Sequence, residues 1–70
     1  SNYSLGKYED AIVDFNRSIE INPSKSDYWY YRGLAYFYSG NKESALADIN
    51  KAIRLNPSET RYTDFKSRNF

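Results

Sequence analysis

A chain of 70 residues has room for one thin domain, whose core alone rarely supplies more than about 3–5 kcal/mol. The absence of Cys and His excludes a disulfide framework, a thiolate nucleophile, the usual zinc and haem sites and a histidine general base. Ten Lys+Arg against nine Asp+Glu give no global field toward nucleic acid or a membrane surface. Aromatic residues are what the chain has in excess: eight Tyr, four Phe and one Trp, or 19% of it.

No stretch approaches the roughly 18–20 apolar residues of a membrane-spanning helix. The first residues also lack the basic-then-apolar layout of a signal peptide, so the cytoplasm is the expected compartment.

The first element is a helix over 7–21. Ala11, Ile12, Phe15 and Ile19 fall on one face at helical spacing. Asp14 with Arg17, and Arg17 with Glu20, offer i,i+3 pairs of opposite charge on the other face. Asn22-Pro23 ends the helix, because proline disfavours the α region for the residue before it and has no N–H to donate. Asn is also a tolerable left-handed cap.

Ser24-Lys25-Ser26-Asp27 then reads as a capping signal for a second helix over 25–39, with Gly40 as its stop. Residues 27–38 are apolar nearly all the way round, the mark of a helix covered on more than one side. Asn41 can cap a third helix over 42–55, whose stripe is Ala45, Leu46, Ile49, Ala52 and Ile53 and whose polar face pairs Asp48 with Lys51. It closes at Asn56-Pro57. Ser58 offers a cap for a fourth, shorter helix over 59–69. The expected class is all-α, with short turns that make neighbouring helices antiparallel.

The chain also repeats itself. At an offset of 34, nine of the nineteen aligned pairs between 6–24 and 40–58 are identical: Gly6/Gly40, Glu9/Glu43, Ala11/Ala45, Asp14/Asp48, Asn16/Asn50, Ile19/Ile53 and the run Asn22-Pro23-Ser24/Asn56-Pro57-Ser58. A fixed period of this length marks stacked supersecondary units.

Trp29, Gly33, Tyr36, Gly40, Ala45, Ala52 and Pro57, in that spacing, resemble a tetratricopeptide repeat. The resemblance implies an α-solenoid fragment: a partial repeat over 1–23, in which 1–4 match the tail of a preceding first helix, a complete repeat over 24–57, and the start of a next repeat or a capping helix over 58–70. It departs from the family pattern at Arg32, which stands for Leu, at Lys42, which stands for an aromatic, and at Ser18, which stands for Ala. The aliphatic stem of Arg32 is expected to cover its site while the charge reaches water. A chain that begins inside a repeat is expected to be an excerpt of a longer array.

Spacing assigns packing roles. Gly33 and Ala45 lack bulk and let two helices approach. Trp29 and Tyr36 plug the space between them, and Phe15 and Ile49, from successive second helices, fill the interface between repeats. Ala52 and Pro57 complete the structural set. Tyr30, Leu34, Phe37 and Tyr38 form a second stripe at i, i+4, i+7, i+8. The resemblance implies a groove there for an extended peptide or partner helix, lined by Asp27, Tyr30, Leu34, Phe37 and Tyr38 with Arg61, Asp64 and Arg68 from the next first helix. The other reading is that the stripe is core, covered by a neighbouring repeat.

The family's clamp for a peptide's C-terminal carboxylate is not expected. Tyr31 stands where that clamp has Asn and Asp64 where it has Lys, and only Arg68 fits. The expected function is therefore a protein–protein interaction module with an aromatic groove. The alternative is self-assembly into a homo-oligomer through exposed or swapped half-repeats, because about two repeats are fewer than the three usually needed. No catalysis, cofactor, metal, nucleic acid or membrane is expected. Replacing Trp29 by Ala should cost roughly 3–5 kcal/mol and leave the chain unfolded by circular dichroism at room temperature; a native-like cooperative melt would refute the packing role.

Overall fold

The computed structural model describes residues 2–70, with side chains from residue 7 onward. Four helices follow one another: α1 (Asn2–Ile21), α2 (Ser26–Ser39), α3 (Lys42–Leu55) and α4 (Thr60–Asn69). The all-α class and the order of elements are those read from the sequence. Helix α1 begins earlier than the apolar stripe requires and runs through Gly6, so this glycine is not a turn like its counterpart Gly40. Residues 2–4, expected as the tail of a preceding helix, lie in the same continuous helix as 5–21.

The repeat is visible in the backbone turns. Asn22 N–H donates to Ser18 O at 2.9 Å and Asn56 N–H donates to Ala52 O at 2.9 Å. Lys25 N–H then closes onto Asn22 O at 3.2 Å, and Glu59 N–H onto Asn56 O at 3.1 Å. Each of these bonds has its equivalent 34 residues on. The tight closure leaves Ser24 and Ser58 inside the turns, and the residues that open α2 and α4 are Lys25 and Glu59, neither making a side-chain cap. The expected serine caps are thus not formed. Asn56 takes φ −143° and ψ 77°, outside the left-handed region, and the following Pro57 keeps it out of the helical one. The other two signals act as expected: Gly40 closes α2 in the left-handed region at φ 103°, and the Asn41 side chain accepts from Ser44 N–H.

Helix α2 lies between α1 and α3 and packs most extensively on α3; α4 touches α3 far less. The close approach of α2 to α3 rests on Gly33. A Cβ there would stand 3.0 Å from Ile49 Cδ1 and 3.2 Å from the Ala45 carbonyl oxygen. Ala45, Ile49 and Ala52 are fully buried along this seam. Phe15, Trp29 and Tyr36 are half-buried, and Pro57 is exposed in its turn.

Arg32 does not send its charge to water. Its Nε donates to Asp48 Oδ2 at 2.8 Å and its Nη2 to Asp48 Oδ1 at 2.7 Å, a two-pronged pair, while Nη1 donates to the Asn16 side-chain oxygen on α1. Asp48 is therefore tied to α2 and not to Lys51, as its helix spacing had implied. Both partners are largely out of water, with side-chain exposures of 17% and 7%. The guanidinium also lies 4.8 Å from the Trp29 ring centre and 5.8 Å from that of Tyr36, so the two expected plugs have a cation between them. The bonds that Arg32 donates to Asp48 hold it charged still more firmly than usual, against the opposing effect of burial.

Removing one member of such a pair strands the other, at about 3–5 kcal/mol, whereas replacing both with apolar groups is often close to neutral. Asp48→Ala is accordingly expected to lower the urea midpoint sharply, and Arg32→Leu combined with Asp48→Ala to recover most of the loss. A double variant as unstable as Asp48→Ala alone would show that the charges are not the origin of the effect.

Candidate partner-binding face

The turn at Asn56-Pro57 returns the chain so that α4 meets the first turn of α2. One side chain fastens it. Tyr62 is fully buried, and its hydroxyl donates to Asp27 Oδ1 at 2.7 Å. Its only proton being committed there, Tyr62 accepts from Ser26 Oγ at 3.1 Å. Arg61 reinforces the contact from outside, 3.6 Å from the same Asp27 oxygen and 2.8 Å from Glu59.

Beyond this anchor the aromatic residues form one continuous run across three helices. Tyr30 lies against Tyr62 at 4.6 Å and Phe65 at 6.1 Å between ring centres. Phe37 meets Phe65 edge-on at 5.3 Å and Phe70 at 5.5 Å. Toward α1, Tyr38 stacks on Tyr8 at 5.7 Å and Tyr31 on Phe15 at 5.9 Å. Contacts of Tyr30 with Tyr31 and of Phe37 with Tyr38 close the chain of nine rings. The tilted and edge-on geometries are those that ring quadrupoles favour.

The residues read from the sequence fall in different places. Tyr30, Leu34 and Phe37 are half-buried, and Tyr30 and Phe37 already have α4 for a neighbour. Tyr38 is 56% exposed. Asp27 is occupied by Tyr62 and Arg61, and Asp64 pairs with Arg68 at 3.1 Å on the outer side of α4. Arg68, the one clamp-like residue, thus carries its own carboxylate. The sequence reading left out Tyr62, Phe65 and Phe70, yet the period of 34 pairs them with Tyr28, Tyr31 and Tyr36. Extending the alignment past 58 was the signal that would have found them.

What remains open at the face is a row of ring edges, Tyr31 at 39%, Tyr38 at 56% and Phe70 at 41% exposure. Cations border it: the Lys42 amine lies 5.7 Å from the Phe37 ring centre and the Arg61 guanidinium 5.9 Å from that of Tyr30. Such a surface can hold apolar and aromatic groups and hydrogen-bond through tyrosine hydroxyls. Among the described residues no group of three or more His, Cys, Asp or Glu is placed to hold a metal, and no helix is long and apolar enough to cross a membrane. Every buried side-chain nitrogen or oxygen among them has a hydrogen-bond partner.

Comparison with known proteins gives two family matches. A model described as TPR repeat matches residues 2–40, and one described as tetratricopeptide repeat matches residues 26–59. No curated protein and no solved structure gave a significant match.

Burial pushes the Tyr62 hydroxyl above the usual tyrosine range; the bond from Ser26 opposes this and the bond to Asp27 adds to it. Burial likewise raises Tyr30. A raised folded pKa stabilises the fold fully below the unfolded value of about 10 and is lost as pH climbs through the folded value. Stability should therefore be flat on this account at neutral pH and fall in strong base. Tyr62→Phe is expected to lose about 1–3 kcal/mol at neutral pH and to flatten that basic limb, measured by urea unfolding across a pH series; an unchanged midpoint and limb would remove Tyr62 as the anchor of α4.

Proposed function

The chain belongs to the tetratricopeptide repeat family, and on that premise we propose that it is a protein-binding module whose ligand lies along the aromatic face of α2 and α4. Repeats of this family generally mediate protein–protein interaction. The observation that carries the finer reading is the row of exposed rings, Tyr31, Tyr38 and Phe70, each held from behind by another ring. Rings already immobilised lose little entropy when a ligand covers them, and Tyr adds a hydroxyl for orientation.

In this reading the complete repeat over 24–57 supplies Tyr30, Leu34, Phe37 and Tyr38 as the apolar floor, flanked by the partial units over 1–23 and 58–70. Asp27, Arg61, Asp64 and Arg68 form a polar rim and not a carboxylate clamp, since they are paired with one another or with neighbours. The ligand is an extended peptide or helix with aliphatic and aromatic anchors. Nucleic acid, a membrane and a cofactor have no place in it, and neither does catalysis. The second reading, self-assembly, is supported by a division of charge between the first helix and the last two, developed below.

The test is a titration of isotope-labelled protein with a short extended peptide bearing Leu and Phe anchors, beside the same peptide with those anchors changed to Ser. Amide shifts centred on 34–38 and 65–70 are expected for the first peptide alone, weakened several-fold by Tyr38→Ala, which sits at an exposed ring. Shifts confined to other surfaces, or equal shifts with both peptides, would move the site elsewhere.

A further inference from the structure

The period of 34 maps α1 onto α3 and α2 onto α4, and with them a charge network. Arg32 on α2 has Asn16 of the preceding helix on one side and Asp48 of the following helix on the other. Thirty-four residues on, its counterpart is Lys66 on α4, and the counterpart of Asn16 is Asn50 on α3. These two share an open cleft of about 490 Å³, completed by Ala47, Lys51, Ile53 and Arg54. Three cations line it and no carboxylate does. Lys66 and Arg54 make no ion pair among the described residues.

The missing carboxylate exists at the other end of the chain. Asp14 is the counterpart of Asp48 in the repeat register; it is exposed and makes no ion pair among the described residues. The surroundings agree in sign. Helix α1 carries four acidic residues against two basic ones, a net of −2, while α3 and α4 together carry six basic against three acidic, a net of +3.

We propose that a second copy of this chain docks its α1 against α4, with Asp14 on Lys66 in the place that Asp48 holds on Arg32. This rests on the self-assembly reading and gives it a geometry. The contact is heterologous, head to tail, and does not close on itself, so it builds linear oligomers and not a two-fold dimer. The junction repeats the arrangement found inside the chain: a basic side chain on a first helix, held between an asparagine behind and an aspartate in front. Opposite net charges at the two ends steer the encounter and make it weaken with salt.

Sedimentation equilibrium over a concentration series tests it on the whole chain. The wild type is expected to exceed dimer mass as concentration rises, and to dissociate with added salt. Asp14→Lys alone and Lys66→Asp alone should each associate at least about tenfold more weakly with unchanged circular dichroism. Mixed in equal amounts, the two variants should recover growth beyond a dimer, because both junctions possible between them join opposite charges while each variant repels its own copies, so the two alternate along the oligomer. A wild type that assembles, with both variants assembling equally well, overturns the head-to-tail geometry while leaving self-assembly in place. A monomeric wild type overturns both, and gives the cleft to another occupant such as a following segment of a longer chain. Variants that stay monomeric when mixed also overturn the junction.

Discussion

The guanidinium of Arg32, held between Asp48 and Asn16, is the constraint on which the rest of the structure depends. A charge that far from water is tolerated only when its donors are matched, and here the matching oxygens come from two other helices. Helix α2 cannot slide or rotate on α3 without stranding donors on that group, and the exposed bond to Asn16 adds a directional contact to α1. The small residues follow from it. For the guanidinium to meet both carboxylate oxygens the α2 and α3 backbones must lie close, and Gly33 against Ala45 and Ile49 is what allows that distance. Any other alignment of α2 on α3 would leave both charges unpaired, so the pair penalises alternative registers whatever its net contribution to stability.

Arg32 also accounts for the uneven use of aromatic residues. Trp29 and Tyr36 share its side of α2 and are held by the cation, with the Trp29 indole N–H donating to the Pro23 carbonyl at 2.9 Å. The remaining faces of α2 carry Tyr30, Tyr31, Phe37 and Tyr38, whose neighbours are rings from α1 and α4. One set of rings shields a charge, and the other forms a surface. A helix that is apolar nearly all round therefore needs no membrane and no large core to explain it.

The parts legible in the sequence were those set by local chemistry. Proline and glycine fixed the ends of α1, α2 and α3, and the period of 34 anticipated turns whose hydrogen bonds repeat one for one. Arg32 escaped because its partner lies 16 residues away and a helical spacing had already paired Asp48 with Lys51; desolvation favoured the two-pronged bond over an exposed one. Ser24 and Ser58 had the composition of caps, but a backbone bond closed the turn first. Tyr62 and its neighbours on α4 escaped for a different reason. A helix of such polar composition has no apolar stripe to announce a face, and only the repeat register distinguishes the ring that anchors it from those at its edge.

One side chain serving both flanks of α2 has a mechanical consequence. In a stack whose interfaces were separate hydrophobic seams, the outer helix could peel away and leave the inner pair intact. Here, detaching α1 takes an acceptor from the same guanidinium that secures α3 and opens a wider path for water from the exposed Asn16 bond to the sheltered pair with Asp48. Fraying at one boundary is felt at the next, so the cooperative length of the stack exceeds a single helix pair.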